Sequence, residues 1–237
     1  MKPQHLKAKA GDIAERVIVA GDPARVVQVS KMLENSILVN ENRGFITYTG
    51  TYNGKRVSVA CHGVGGPSSA IVFEELIMLG AKVLIRLGST GAFVKGVRVG
   101  ELVIATGASY IGGTLNQYVP DVHISPVPSF DVTLELVRSA EARGIKCHVG
   151  PVFSSEAFYA EDHEFAKKWY DRGHVSVEME CATLFGIGML RKVKTGAILI
   201  VSDNLAEMTP MVDATALRSY VDIAARVALD AIIRVEV

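Results

Sequence analysis

The stretch Val177-Glu178-Met179-Glu180-Cys181-Ala182 lies where an apolar strand, residues 174–177, gives way to an apolar helix, residues 183–190. Glutamates at such a junction are costly to bury unless a polar or cationic group meets them. Ligands of α/β proteins bind where strands end, and an ionised carboxylate can accept two O–H donors such as those of a sugar diol. The alternative is that both glutamates favour the positive end of the following helix dipole.

Outward from this junction, short apolar strands alternate with helices along the chain, which predicts an α/β fold with a largely parallel core. Asn53-Gly54, between two β-rich runs, predicts a hairpin that makes the sheet mixed. The predicted strands are 16–20, 45–52, 55–61, 83–87, 101–106, 146–153, 174–177 and 197–201. The predicted helices are 23–33, 67–79, 131–143, 161–172, 183–190 and 213–235, and residues 107–128 are predicted to form a loop.

The composition is that of an ordinary globular protein, with 49% apolar and 21% charged residues. The 25 basic and 25 acidic residues balance, which argues against a nucleic-acid partner or an acidic membrane surface. Residues 1–5 open no signal peptide, and the apolar runs are far shorter than the ~20 residues of a membrane-spanning helix. We therefore expect a cytoplasmic protein without membrane or nucleic-acid partners.

Three widely spaced cysteines, Cys61, Cys147 and Cys181, show no C-x-x-C pattern and predict neither a disulfide framework nor a zinc site. The six histidines show no metal-ligand spacing either, so no metal is expected. An intersubunit disulfide stays open at this point.

Polar, charged and aromatic residues cluster at or just past the carboxyl ends of the predicted strands, the edge where such sheets hold ligands. Arg86 is the most informative of them, because a charged residue at the end of a buried strand rarely lacks a partner. The full set is Arg25, His62, Arg86, Ser89, Phe158, Glu178, Glu180 and Asp203.

Two of these strand ends favour an oxyanion site. Residues 21–25 and 86–91 each combine an arginine with glycines, and Asn42-Arg43-Gly44 offers a third arginine before the hairpin. Glycines let backbone N–H groups approach an anion, and arginine binds phosphate bidentately. An isolated arginine is more often a surface ion-pair partner. Two such loops at one edge of the sheet favour an anion site, but the pattern does not say which anion binds.

The absence of three motifs argues against a nucleotide triphosphatase, a dinucleotide-binding protein and an esterase. The chain has no G-x-x-x-x-G-K-[ST] segment, residues 63–68 depart from G-x-G-x-x-G, and no G-x-S-x-G elbow is present. Asp203, which ends an apolar strand, is either a turn cap or a proton donor at the sheet edge. Phe158 and Tyr159 are candidates for a flat wall against an aromatic ring.

Five motifs, in this order along the chain, resemble the nucleoside phosphorylase family. They are Gly21-Asp22-Pro23-x-Arg25, Glu41-Asn42-Arg43-Gly44, Arg86-x-Gly88-Ser89-x-Gly91-Ala92, Val177-Glu178-Met179-Glu180 and Val201-Ser202-Asp203.

The chain looks like the hexameric purine nucleoside branch of that family, including archaeal 5′-methylthioadenosine phosphorylases, over essentially its whole length. The resemblance implies one three-layer domain over residues 1–237, with a central mixed β-sheet flanked by helices. It also implies a cytoplasmic homohexamer, a trimer of dimers, that acts in purine salvage.

The resemblance implies a role for each matching residue. Gly21, Arg25, Arg86 and Ser89 would bind phosphate, with Arg43 reaching in from a neighbouring subunit.

Glu180 would hold the ribose 2′- and 3′-hydroxyls, Met179 would pack under the sugar, and His5 of the neighbour would meet the 5′ group. Asp203 would protonate purine N7, and Arg218 is the nearest candidate for the arginine that assists it. The base pocket would be formed by Phe158, Val177, Glu178, Ser202 and Asp203.

The reaction implied is the phosphate-dependent cleavage of purine nucleosides to the free base and (deoxy)ribose 1-phosphate. Adenosine, inosine, guanosine and 5′-methylthioadenosine are the candidate substrates. Inorganic phosphate is the co-substrate, and no metal or organic cofactor is expected.

Four alternatives stay open at this point. One is 5′-methylthioadenosine phosphorolysis as the main activity, and another is a nucleosidase, which would not need the motif at residues 21–25. A uridine phosphorylase is expected to carry Gln-x-Arg near Phe158 and to lack the Asp at 203. The last alternative is a protein that binds nucleosides without catalysis.

Overall fold

Nine strands and seven α-helices alternate along residues 2–160 and 164–237, which the computed structural model describes. The strands are β1 (Arg16–Ala20), β2 (Glu34–Asn40), β3 (Thr47–Tyr52), β4 (Lys55–Cys61), β5 (Val83–Ala92), β6 (Leu102–Tyr110), β7 (Cys147–Ser154), β8 (Ser176–Glu178) and β9 (Lys194–Asn204). The helices are α1 (Pro23–Ser30), α2 (Gly66–Met78), α3 (Thr114–Tyr118), α4 (Phe130–Ala142), α5 (Phe165–Tyr170), α6 (Cys181–Arg191) and α7 (Arg218–Ile232).

The strands form one mixed sheet in the order β2-β3-β4-β1-β5-β8-β7-β6-β9. Strand β9 also pairs with β5, so that β5, β8, β7, β6 and β9 close into a ring. The pairs β1–β4, β1–β5, β5–β9, β6–β7 and β7–β8 are parallel, and the other four are antiparallel. The predicted α/β fold with a mixed, largely parallel sheet flanked by helices is therefore confirmed.

Two apolar clusters lie on opposite faces of the sheet, because side chains of a strand alternate between its two sides. Ile18 and Ile85 point to a cluster that contains residues of α1, α4 and α7. Val17 and Leu84 point to a second cluster, formed with residues of α2 and α6. Each buried Leu, Ile or Phe contributes roughly 1.5–3 kcal/mol, so the helices are held against both faces.

The predicted hairpin at Asn53-Gly54 and the predicted start of the helix 23–33 are borne out in their local geometry. Asn53 and Gly54 both have positive φ, 46° and 77°, as the two central residues of a type I′ hairpin require. Asp22 Oδ1 accepts the N–H of Ala24 at 2.8 Å, and Pro23 occupies the first turn of α1. The N-terminal cap therefore fixes where α1 begins, directly above the end of β1.

Other elements differ from their predictions. Strand β2 was not predicted; it is a largely exposed edge strand in which Asn35 has a φ of 51°. Strands β5 and β9 run on to Ala92 and Asn204, because they pair with each other along ten registered positions. Residues 107–128 include the end of β6 and the short helix α3, and the last helix begins at Arg218. The predicted helix 161–172 is observed as α5, and its first three residues lie outside the described part.

None of the described helices combines the length and apolar character needed to cross a membrane. Cys61, Cys147 and Cys181 are all free thiols within the described residues.

Candidate active site

A cavity of about 630 Å³ opens where β1, β5, β8 and β9 end. Predicted residues supply much of its lining: Gly21, Arg25, Arg86, Ser89, Phe158, Val177, Glu178, Met179, Glu180, Ser202 and Asp203. The structure therefore brings the motifs of four separate strand ends to one place. The other three predicted residues, His5, Arg43 and Arg218, are not among the lining residues.

The direction of β8 explains how the two glutamates reach this cavity. Strand β8 runs antiparallel to β5, and Val177 pairs with Gly91 near the end of β5. The chain beyond Val177 therefore passes back along β5 in the direction of Arg86. A parallel β8 would have carried Glu178 and Glu180 away from that arginine.

Glu178, the last residue of β8, is the centre of a buried hydrogen-bond network. Its carboxylate accepts the backbone N–H groups of Glu180 (2.7 Å) and Cys181 (2.9 Å), where α6 begins. It also accepts the hydroxyl of Ser154 at 2.5 Å and the Nε–H of Arg86 at 3.1 Å. Glu178 thus satisfies amides that a helix start leaves without partners, and the helix-dipole interpretation applies to this glutamate.

Arg86 is 4% exposed and faces three partners. Its Nε contacts Glu178, its Nη2 lies 2.5 Å from Glu180 Oε2, and its Nη1 lies 3.1 Å from His62 Nε2. Burial lowers the pKa of Arg86, but the charges of Glu180 and Glu178 outweigh burial and raise the pKa. A guanidinium carries five N–H donors; these contacts engage each nitrogen once and leave two donors for a ligand.

The guanidinium of Arg86 folds over Gly88. A Cβ at that position would lie 2.8 Å from Arg86 Cζ and 2.7 Å from Leu199 Cδ2. The absence of a side chain at Gly88 therefore lets the arginine side chain lie along its own strand, over the residue two positions further on.

Arg25 is a second buried arginine beside the first. It is 7% exposed; its Nη1 donates to the carbonyl oxygen of Leu87 at 3.0 Å, and its Nε has no hydrogen-bond partner among the described residues. Burial, together with the charge of Arg86, lowers the pKa of Arg25 to about 10. Two neighbouring buried cations that line a cavity with Gly21 and Ser89 have the charge and the N–H donors that an anion site requires.

Glu180 is buried and differs from Glu178 in its partners. Its Oε1 accepts the N–H of Gly65 at 2.6 Å, and its Oε2 faces Arg86. Burial raises the pKa of Glu180, Arg86 opposes this, and the net direction is upward. A carboxylate offers about four acceptor sites, so two remain for O–H donors in the cavity, beside the half-buried Met179.

Asp203, near the end of β9, is half-buried and accepts the hydroxyl of Ser202 on Oδ1 at 2.7 Å. Burial raises its pKa, and the bond from Ser202 offsets part of that rise. Within the described residues, no basic side chain lies in ion-pair distance of Asp203. A carboxyl group in this environment is suited to hold and donate a proton.

The wall of the cavity near Asp203 is apolar. Phe158 is 48% exposed although it belongs to the lining, and Val177 is buried. Leu205 and Met211 complete this side from the segment that follows β9. The arrangement offers flat and flexible apolar surfaces opposite one protonatable group.

Arg218, the first residue of α7, is exposed, and its backbone carbonyl accepts from Gln28 Nε2 at 2.7 Å. Its assistance to Asp203 stays a prediction.

Outside the lining, His5 contacts Asn42 and Phe45, which lie on either side of Arg43 in the chain. The carbonyl of His5 accepts from Asn42 Nδ2 at 2.7 Å, and the His5 and Phe45 rings are 6.4 Å apart. Glu75 holds the segment in place, because it contacts His5 Nδ1 at 2.8 Å and accepts the backbone N–H groups of residues 4–6. Arg43 is exposed, with a positive φ of 57°.

The sequence singled out His62 at a strand end without assigning it to the site, and it did not single out Ser154. Both are buried partners of the charged residues rather than parts of the lining. The lining residues beyond β9, Leu205, Thr209 and Met211, carry no motif. Among the described residues, no group of three or more His, Cys, Asp or Glu is placed to hold a metal ion.

The protein thus has an α/β fold with a cavity at the strand ends. This cavity contains two buried arginines, two buried glutamates and a half-buried aspartate. The chain belongs to the phosphorylase superfamily, whose family model matches residues 15–234. The resemblance to nucleoside phosphorylases is confirmed, and the protein is an enzyme.

Relatives with three different named activities match most of the chain. A DeoD-type purine nucleoside phosphorylase of Exiguobacterium sp. is 40% identical over 203 residues, 85% of this chain and 86% of the relative. A guanosine phosphorylase of Halorubrum lacusprofundi is 37% identical over 204 residues, 86% of this chain and 84% of the relative. A uridine phosphorylase of Treponema pallidum is 39% identical over 211 residues, 84% of this chain and 81% of the relative.

The position of Glu178 leads to a stability prediction. Replacing Glu178 by Gln presents an amide N–H₂ to groups that are themselves donors and removes the charge opposite Arg86. We expect Glu178→Gln to lower the free energy of unfolding by about 3 kcal/mol in urea denaturation. Glu74→Gln, which loosens the more exposed pair with Arg191, should cost less than about 1 kcal/mol. Equal stability of the two variants would contradict this role.

Proposed function

We propose that the protein catalyses the phosphorolysis of purine nucleosides, releasing the free base and (deoxy)ribose 1-phosphate. The observation that carries the proposal is the buried arginine pair, Arg25 and Arg86, set beside Glu180 and Asp203 in one cavity. The similarity to purine nucleoside and guanosine phosphorylases supports it. Inorganic phosphate is the proposed co-substrate, without a further cofactor.

Phosphate is proposed to bind against Arg25, Arg86, Ser89 and the backbone at Gly21. Arg25 Nε and two N–H groups of Arg86 are available donors, and doubly charged phosphate would offset the repulsion between the two cations. Arg86 also neutralises Glu178 and Glu180, but a nucleosidase, which uses water, has no use for the second buried arginine, Arg25. The geometry therefore favours phosphorolysis over hydrolysis.

The nucleoside is proposed to lie above phosphate with its 2′- and 3′-hydroxyls on Glu180 and its sugar against Met179. The base would then lie between Phe158, Val177 and Asp203. Glu178 is proposed to support this pocket indirectly, through Arg86 and the start of α6, because its carboxylate is engaged by protein donors.

The proposed reaction breaks the bond between the anomeric carbon and the purine nitrogen, whose electron pair leaves with the base. Asp203 gives its proton to N7 as charge develops there, and a phosphate oxygen forms the new bond to the anomeric carbon. A positioned acid of this kind is worth ~10²–10⁴-fold in rate. The negative charge of bound phosphate also stabilises the cationic sugar of the transition state.

We further propose that His5 and Arg43 act in the site of a neighbouring subunit, within a homohexamer built as a trimer of dimers. The contacts of His5 with the segment around Arg43 support a shared destination for both side chains. The domain bounds at residues 1–237, the cytoplasmic location and the helper role of Arg218 stay predictions.

Uridine phosphorolysis is the second candidate, because two of the matching relatives bear that name. Asp203 in the lining favours a purine, since a pyrimidine has no N7 to protonate.

The direct test of the proposal is the phosphate dependence of turnover. Purified protein should release base from adenosine, inosine, guanosine or 5′-methylthioadenosine only with phosphate, and equimolar sugar 1-phosphate should appear. Chromatography of both products measures this, and uridine and a phosphate-free buffer are the controls. Base release at the same rate without phosphate would contradict phosphorolysis, and a marked preference for uridine would contradict the purine assignment.

The acid role of Asp203 gives the next prediction. Asp203→Asn keeps the shape but removes the transferable proton, so kcat on the best purine nucleoside should fall about 10²-fold or more. The Kd of phosphate, measured by calorimetry, should change little because neither Arg25 nor Arg86 is among the groups that shift the pKa of Asp203. Asp171→Asn, an exposed surface change, serves as the control. Normal kcat in Asp203→Asn would remove this residue from the proton transfer.

Arg25 is expected to separate stability from function. Arg25→Gln removes a buried charge that Arg86 repels, so the phosphate-free protein should be as stable as wild type or more so. The KM for phosphate should rise about tenfold or more, because one charge-assisted contact is lost. Arg138→Gln on the surface should change neither quantity. A variant that loses stability and keeps its phosphate KM would mark Arg25 as a folding residue.

A further inference from the structure

His62 is a buried polar residue that the proposed reaction does not use. It follows β4, and its side chain has 0% exposure. The ring packs edge-on against Phe73, with centroids 5.2 Å apart, and its Cε1 lies 3.5 Å from where a Cβ on Gly21 would sit. The imidazole therefore stands behind the cavity, between the loop that ends β1 and the guanidinium of Arg86.

The contact with Arg86 fixes which nitrogen of His62 carries the proton. Nη1 of Arg86 lies 3.1 Å from His62 Nε2. A guanidinium only donates, so Nε2 accepts and the neutral ring has its hydrogen on Nδ1. Nδ1 is buried, and the backbone groups of Gly63 and of His62 itself lie close enough to act on the ring. Burial, with the charge of Arg86, holds the pKa of His62 well below its ordinary value, so the ring stays neutral.

A neutral acceptor at this place differs from the other two partners of Arg86. Glu180 faces the cavity and, under the proposed function, shares its carboxylate with the ribose hydroxyls. His62 is not part of the lining, so no ligand competes for its lone pair. A third carboxylate in its place would put another negative charge beside the phosphate, whereas imidazole fixes Nη1 without one.

We propose that His62 is a positioning residue for phosphate: it holds Nη1 of Arg86 from behind, so that the two remaining N–H groups of the guanidinium point at the anion. The inference rests on the proposed function, because phosphate is the ligand that Arg86 is proposed to bind. It assigns His62 to the geometry of Arg86 rather than to contact with the substrate.

Two substitutions at His62 distinguish the effect of its hydrogen-bond acceptor from the effect of the space that its ring fills. His62→Phe keeps an aromatic ring but has no acceptor, and the loss of a hydrogen bond to a charged group should raise the KM and Kd of phosphate about tenfold. The KM for the nucleoside should stay within about threefold of wild type, since Glu180 is unchanged. His62→Gln retains an oxygen acceptor at similar reach and should recover most of the phosphate affinity.

His174 provides the matched control. It is also buried, its Nε2 pairs with Ser109 Oγ at 2.8 Å, its Nδ1 has no partner among the described residues, and it is outside the lining. His174→Phe should leave phosphate affinity unchanged. The inference is overturned if folded His62→Phe binds phosphate as wild type does, or if His62→Gln is impaired as much as His62→Phe.

A measurement on the wild-type protein covers the case in which His62→Phe does not fold. Imidazole ¹⁵N NMR of the histidine-labelled enzyme should show a neutral ring protonated on Nδ1, assigned by the loss of that signal in His62→Gln. A protonated ring or an Nε2–H tautomer at neutral pH would overturn the inference. Wild-type turnover that needs no phosphate would instead overturn the proposed function, so the two failures are distinguishable.

Discussion

The site depends on one buried charge cluster, in which Arg86 lies between Glu178 and Glu180. Moving an ion from water into a protein interior costs several kcal/mol even after relaxation, and the cost is offset only when every member finds partners. Here β5 supplies the cation, the junction of β8 and α6 supplies both carboxylates, and Ser154, Gly65 and His62 complete their hydrogen bonds. The cluster therefore connects elements that are distant in sequence, and these connections hold the strand ends that line the cavity in place.

Within that cluster the two glutamates have different tasks. Glu178 accepts from the first amides of α6 and from Ser154, so it belongs to the frame. Glu180 has its remaining acceptor capacity on the cavity side, so it belongs to the site. Two glutamates that are separated by a single residue thereby serve different purposes, one in folding and the other in ligand binding.

The ligand edge could be predicted from the sequence because its signals are local. Arg25, Arg86 and Asp203 each stand at or near the end of an apolar run, and the parallel strands that carry them end at a common edge. Most strands and helices could be predicted for the same reason, from the local pattern of apolar residues.

What the sequence did not predict depends on contacts between distant segments. The ring closure by β5 and β9 and the antiparallel course of β8 are pairing choices without a local signature. Strand β2 lacks the alternation of a half-buried strand because most of it is exposed. The task of Glu178 became visible only when Arg86, 92 positions away, was placed beside it.

The contact between Arg86 and Glu180 has a thermodynamic consequence. If an anion binds Arg86 and a polyol binds Glu180, each ligand changes the ion pair that the other one contacts, so the two ligands do not bind independently. The factor by which the first changes the affinity of the second must equal the factor by which the second changes the affinity of the first. Through this single 2.5 Å contact, the affinity of each half of the cavity for its ligand depends on whether the other half is occupied.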